Sequence, residues 1–257
     1  MVVRRIREHV GTHNWFAVGI DLAIVVIGVF LGTQASNWNA HRIAEETGQT
    51  YRARLIEDLT ANEADLTSRI AYYRDVREHA LMALEGFSSP AATLGEEFVV
   101  HAFQASQINV RPLKRWTYDE LVSVGGLASL GDESLRERAA LYFNGVQAID
   151  NLNSVIPPYR DRVRREIPYV VEDRIRRVCG DRLRDVKGTL IGMLPKSCKT
   201  DLDTGTIEAA VTQLRSAKEM DRDLNRYIID LDQKIGFYEG GVRRARDLRV
   251  AIAEVDA

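Results

Sequence analysis

The chain has 257 residues, a formal net charge of -2, 45% hydrophobic residues and 28% charged ones. That near-neutral balance excludes a whole-protein attraction to nucleic acid or anionic lipid. Two cysteines, Cys179 and Cys198, exclude a disulfide-dense scaffold and a four-cysteine zinc site, and six prolines with 7% aromatics fit helices better than sheet.

From the N-terminus, residues 16–31 form an apolar run containing one charge, Asp21. Adding Gly32, Thr33, Gln34 and Ala35 gives 20 residues. Such a helix is about 30 Å long, the hydrocarbon thickness of a bilayer. Trp15 and Trp38 bracket the run where an aromatic belt sits. A transmembrane helix is therefore predicted over residues 15–38. Arg4, Arg5 and Arg7 precede it, whereas Glu45 and Glu46 follow His41 and Arg42. The positive-inside rule then makes residues 1–14 cytoplasmic and residues 39–257 an extracytoplasmic helical domain; the expected location is the inner membrane, with this domain in the periplasm. So short a cytoplasmic segment has no room for an output domain, so a signal passes through the membrane helix to a partner or ends outside. Two other readings stay open. A buried soluble helix is seldom this apolar on every face. A cleaved signal peptide has a core of about 7–15 residues, shorter than this run, although Thr33-Gln34-Ala35 has the small side chains of a cleavage site.

Within the run, Asp21, Val25, Gly28, Gly32 and Ala35 recur at helical spacing on one face. Gly28 and Gly32 form a small-xxx-small pair that allows close backbone approach. A carboxylate near a bilayer centre costs on the order of 2.5–3.5 kcal/mol, so a helix–helix interface giving Asp21 a partner is one reading of this face. The alternative is a protonated or water-reaching Asp21 with incidental glycines.

Asp21, Val25-Val26-Ile27-Gly28, Gln34 and Asn37-Trp38-Asn39 resemble the anchor of a bacterial family of single-pass membrane proteins with an IG(D/E)…VVIG…Q…NWN segment. Ile20 departs from it, standing where that family has glycine. A second stretch is similar too: Thr117-Tyr118-Asp119-Glu120-Leu121, Gly125-Gly126, Leu130, then Glu133-Ser134-Leu135-Arg136 leading to Tyr142. Together they cover about a quarter of the chain. The resemblance implies a membrane protein with a helical extramembrane part, and it implies no activity. Cys179 and Cys198 lie outside it.

Beyond the anchor, Leu55, Leu59, Asn62, Leu66, Ile70, Tyr73, Ala80, Leu84 and Phe87 step mostly by three and four, predicting a long amphipathic helix from residue 43 that stops near Gly86. A short helix is expected over residues 94–107. Thr117 and Glu120 have capping-box spacing at the start of another, which Gly125-Gly126 ends. Gly131-Asp132 precedes a longer helix striped by Leu135, Ala139, Tyr142, Val146 and Ile149, broken at Pro157-Pro158. Residues 206–255 read as one last helix, carrying Ile207, Val211, Leu214, Leu224, Ile228, Leu231, Ile235, Tyr238 and Val242, with Gly240-Gly241 loosening it. The first and last helices would each run about 70 Å. The expected fold is all-α: an N-terminal transmembrane helix continuing into an elongated antiparallel helical bundle, its C-terminus returning toward the membrane. Residues 97–100 and 107–110 could be short strands; helix and loop are preferred.

Residues 160–187 hold ten basic side chains against six acidic ones. Arg160, Arg164, Arg174 and Arg177 are candidates for an anion site, since guanidinium groups bind carboxylates bidentately. Interleaved acids favour a solvated, internally paired face instead. Arg115, Trp116 and Tyr118 are either a recognition surface or an aromatic plug at the end of the bundle, the latter favoured. The histidines at 9, 13, 41, 79 and 101 are scattered, and His79 beside Glu78 reads as a surface residue. Cys179 and Cys198, with Gly180, Gly188, Gly192 and Pro195 between them, are natural disulfide partners in an oxidising compartment. Free thiols or pairing between chains are the alternatives.

No HExxH, GxSxG, Walker or GxGxxG motif occurs. The expected function is a non-enzymatic, membrane-anchored module that binds a partner protein or small ligand, without cofactor or metal and without nucleic acid. An extracytoplasmic enzyme with an unrecognised site is the competing reading. A pocket holding paired titratable groups favours the enzyme, and a filled core with an exposed apolar patch favours the module. Replacing Gly28 and Gly32 together with leucine is expected to weaken self-association of the isolated membrane segment in a bacterial two-hybrid assay. Unchanged association would make the glycines incidental.

Overall fold

The computed structural model describes residues 15–186, 189–195 and 198–256. Arg4, Arg5, Arg7 and the whole predicted cytoplasmic segment lie outside them. The fold is all-α, as the periodicity predicts, with one two-stranded hairpin. Its helices are α1 (Trp15–Ser88), α2 (Glu96–Ala105), α3 (Trp116–Ser123), α4 (Glu133–Ser154), α5 (Pro158–Glu166), α6 (Tyr169–Cys179), α7 (Thr204–Ser216) and α8 (Met220–Val255). The strands are β1 (Arg182–Val186) and β2 (Thr189–Met193). Two compact units divide at Thr50 and Tyr51.

The first unit contains the apolar part of α1. It is long and apolar enough to cross a membrane by length and composition, and none of its most apolar window is buried. Phe16, Leu22, Val25, Val29 and Leu31 are all exposed, pointing in several directions round the helix. The Thr33 hydroxyl donates back to the Phe30 carbonyl at 2.8 Å, so this polar group is satisfied within the helix.

In the second unit, α1 and α8 run antiparallel. Arg52 pairs with Asp256, Glu63 with Arg246, Arg74 with Glu239 and Arg77 with Asp232, one chain number rising as the other falls. Leu55, Leu59, Leu66 and Tyr73 from α1 share one core with Leu231, Tyr238, Ala245, Leu248 and Ile252 from α8. Gly241, which the sequence marks as a weak point, permits a close approach. A Cβ there would stand 3.0 Å from Leu66 and 3.3 Å from Ile149. α4 and α5 pack on α8, and α7 packs on α2, α5 and α6.

Helix ends follow local chemistry where the sequence states it plainly. The Asp132 side chain accepts from the Leu135 N–H and starts α4, and Asp203 accepts from Thr206 and starts α7. α4 stops at Ser154 and α5 starts with Pro158 in its first turn. Gly125 takes φ +67° just after α3.

Three expectations are corrected, and one element that the periodicity does not predict is present. The Thr117–Glu120 capping box does not form: Arg115 is the N-cap and caps with no side-chain bond. The Thr117 hydroxyl donates instead to Asp58, 2.7 Å away, and Glu120 takes Tyr51 and Arg54, so these side chains dock α3 onto α1. The last helix is two, because Ala217 is extended and Glu219 adopts φ +63°, leaving α8 only 36 residues. The hairpin was not foreseen; it pairs Arg182 with Met193 through to Val186 with Thr189, and Lys187 and Gly188 of its turn lie outside the described residues. Trp116 is exposed, so it plugs nothing, while half-buried Tyr118 stacks on Phe143 with centroids 4.3 Å apart.

Cys179 and Cys198 are brought to disulfide distance, with Cα atoms 5.6 Å apart. Gly192 lets β2 sit on α1, because a Cβ there would meet the Tyr72 ring and Asn109.

Gly86 marks the tightest junction of α1 with α2. A Cβ built there runs into the Phe98 ring, itself edge-on to Phe87 at 5.0 Å. Gly86→Ala gains up to about 1 kcal/mol of helix propensity but overpacks a filled site at about 1–3 kcal/mol. A net loss of about 1–2 kcal/mol is expected in urea unfolding followed by circular dichroism. A stabilised variant would show that the junction yields.

Candidate functional site

The break between α4 and α5 creates a cleft. Proline has no backbone N–H, so Pro157 and Pro158 end one helix and begin the next, and the extended chain at Val155 leaves a gap over α8. The gap is a cavity of about 220 Å³ with apolar walls from Leu152, Val155, Pro157, Pro158 and Phe237. Its polar groups come from α8: Tyr227, Asp230, Gln233 and Lys234. Val155, Ile156 and Phe237 are exposed around it.

Lys234 is the unusual member. It lies at helical spacing between Leu231 and Tyr238, two core residues, and is only 7% exposed. Its ammonium stands 4.8 Å from the centroid of the Tyr73 ring. Among the described residues it has no hydrogen-bond or ion-pair partner; Asp230 on the cleft wall pairs with Arg226 at 4.0 Å. Burial pushes the Lys234 amine down to about 8; the nearby Asp230 opposes that shift and Arg69 adds to it. The Tyr227 hydroxyl is also buried without a partner among the described residues, and burial raises its pKa. Among the described residues the cleft thus presents one unmatched buried cation between apolar surfaces.

Arg69, fully buried nearby in the same core, shows the ordinary arrangement: it is paired with Asp65, which also takes Arg111 at 2.6 Å. Tyr73 accepts from the Asn109 N–H at 3.0 Å, and Tyr238 donates to Asn153.

The structure does not gather the four arginines proposed for anion binding. Arg160 donates to the Ser106 carbonyl. Arg164 bonds Ser106 at 3.1 Å, Gln107 at 3.1 Å and Glu172 at 3.2 Å, and lies over Phe103. Those two converge on one corner, and burial lowers both pKa values, Arg164 to about 10. Arg174 turns to Thr200 and Asp201, and Arg177 to Asp173. All four use donors on groups of their own chain. In the membrane segment, Asp21, Val25, Gly28, Gly32 and Ala35 are exposed along α1, and a Cβ at either glycine meets nothing in this chain.

The histidine expectation is also corrected. His79 is buried, and its Nδ1 lies 2.7 Å from the Nδ1 of His101 on α2. Burial and the second ring lower His79 to about 4, and burial lowers His101. Among the described residues no three His, Cys, Asp or Glu side chains converge on a metal position.

Sequence reading missed Lys234, although a signal was present: a charge inside an apolar stripe is a core lysine or a misassigned face. The histidine pair has no such signal, since its members sit on separate helices. No protein-family model, curated protein or solved structure matches the chain.

A buried lysine with no partner destabilises the fold below its own pKa. Its folded value is lowered from 10.5 to about 8. Between those values the unfolded chain holds the proton and the folded one does not, so stability rises with pH across that window. Below about 8 both states are protonated, and a constant cost of about 3 kcal/mol remains. Lys234→Met is expected to stabilise the protein by about 1–3 kcal/mol at pH 7. The gain should shrink toward pH 10.5 when wild type and variant are compared in urea unfolding. A destabilised variant at pH 7 would mean that Lys234 has a stabilising partner.

Proposed function

We propose that this chain is a membrane-anchored helical binding module whose Lys234 cleft takes a small organic anion with an apolar body. One observation carries the reading: a buried ammonium with no partner among the described residues, opening into an apolar cavity. A carboxylate there supplies the missing counter-charge, and the ligand's apolar part covers Phe237, Val155 and the prolines. The anchor reading rests on the fully exposed apolar window of α1 and on the resemblance of its motif to a membrane family's. The N-in orientation and extracytoplasmic placement rest on the arginines before the span and on a cysteine pair at disulfide distance, which suits an oxidising compartment. The exposed face of Gly28 and Gly32 offers a surface for a second membrane helix.

An enzymatic reading draws on the same amine. With a pKa near 8 it is partly neutral at physiological pH, and a neutral lysine in a pocket attacks carbonyls to form imines. Reductive trapping with borohydride and a small oxo acid distinguishes the readings, because only imine chemistry leaves a covalent mass on Lys234.

Benzoate is a suitable probe, with neutral benzamide as its control. Calorimetry on the full chain in micelles should give benzoate binding at least tenfold tighter than benzamide at pH 7. That preference should fade above about pH 8 as the amine loses its charge, and vanish in Lys234→Met. Equal affinity for both probes would refute the anion site. For topology, a reporter active only in the periplasm, fused after Ala257, should be active; activity of a cytoplasm-only reporter instead would reverse the orientation.

A further inference from the structure

We propose that His79, Met82 and His101 form a binding site for a monovalent copper ion. His79 and Met82 are one turn apart on α1, and His101 faces them from α2. All three line one cavity of about 60 Å³, together with Asp75, Glu78 and Leu194. The two Nδ1 atoms meet at 2.7 Å, so in the metal-free protein one imidazole donates to the other.

The choice of ion follows from the donors. A third His, Cys, Asp or Glu ligand is not in place among the described residues, which disfavours zinc. The third group is a thioether, soft and neutral, and soft sulfur selects Cu(I). Met82 is 48% exposed, so core packing does not account for its position. Cu(I) is content with two or three ligands, and the carboxylates of Asp75 and Glu78 on the cavity wall offset its charge. Two nitrogens on one metal at about 2.0 Å each stand about 3.3–3.5 Å apart. The rings therefore part by less than 1 Å from their hydrogen-bonded distance. The proton between them moves to Nε2 of the ring that carries it as both Nδ1 atoms turn to the metal. Both rings stay neutral, copper keeps its oxidation state, and no net proton is released.

The test is a titration of the full chain in micelles with Cu(I) under ascorbate, which keeps copper reduced and leaves the Cys179–Cys198 pair intact. A chromophoric Cu(I) chelator competes and reports affinity. Wild type should bind one more Cu(I) than the His79→Gln/His101→Gln double variant. Met82→Leu, at an exposed position, should fold normally and bind Cu(I) at least tenfold more weakly, with Zn(II) affinity unchanged. Equal stoichiometry in wild type and double variant, wild-type Cu(I) affinity in Met82→Leu, or Zn(II) binding tighter than Cu(I) would each overturn the assignment. If the double variant does not fold, Met82→Leu decides alone.

Discussion

The antiparallel seam between the Tyr51–Ser88 part of α1 and α8 determines where every other side chain in this domain stands. Its ion pairs are mostly exposed, and such pairs contribute about 0.2–1 kcal/mol each. Their importance is register. With Arg52 on Asp256 at one end and Arg77 on Asp232 at the other, a slip of one helical turn would leave several charges without partners. The energy of the seam comes from the apolar rows between, about 1.5–3 kcal/mol for each large side chain fully buried. Gly241 lets the helices approach around Leu66, and that fixed approach sets Lys234 over the Tyr73 ring.

Whatever depended on period and on strong local punctuation was legible in the sequence. The stripe of α1, the Asp132 cap, the proline break and the glycine after α3 each express a local rule that tertiary packing did not override. The division between α7 and α8 was not legible. Residues 217–219 contain neither glycine nor proline, and the apolar steps resume in phase closely enough to read as one helix. The break is set by what the two helices pack against: α7 lies on α2, α5 and α6, whereas α8 lies on α4 and α5. The capping box failed for a related reason. Asp58, Tyr51 and Arg54, far away in sequence, compete for Thr117 and Glu120 and win. The hairpin strands are short, and the arginine-rich composition around them resembles the helices before it.

The candidate sites were less legible than the fold, for two separate reasons. Lys234 announced itself by occupying a core position in a stripe, but a stripe tolerates an occasional long charged side chain that reaches water, so the pattern alone does not reveal burial. His79 and His101 become neighbours only through the pairing of α1 with α2, and Glu78 beside His79 gives that turn the look of a solvated face. The basic stretch at residues 160–187 was the reverse case. It was conspicuous in sequence, yet its arginines serve mainly to tie helices and loops of the same domain together.

Arg69 and Lys234 are held in different ways within this core. Both are buried cations, and both carry a desolvation cost that folding alone does not recover. For Arg69 the fold itself supplies Asp65, held four residues away on the same helix and shared with Arg111. For Lys234 the same position, four residues back, holds Asp230, which lies on the cleft wall and pairs with Arg226 instead. A lysine placed there for structure alone gains less than methionine would, because methionine fills the same volume without an unpaired ammonium. In the proposed reading an anion with an apolar body occupies the cleft and offsets the difference. In that reading the unpaired lysine accounts for both the instability expected of the free domain and the proposed affinity for an anion, and a single substitution is expected to change the two in opposite directions.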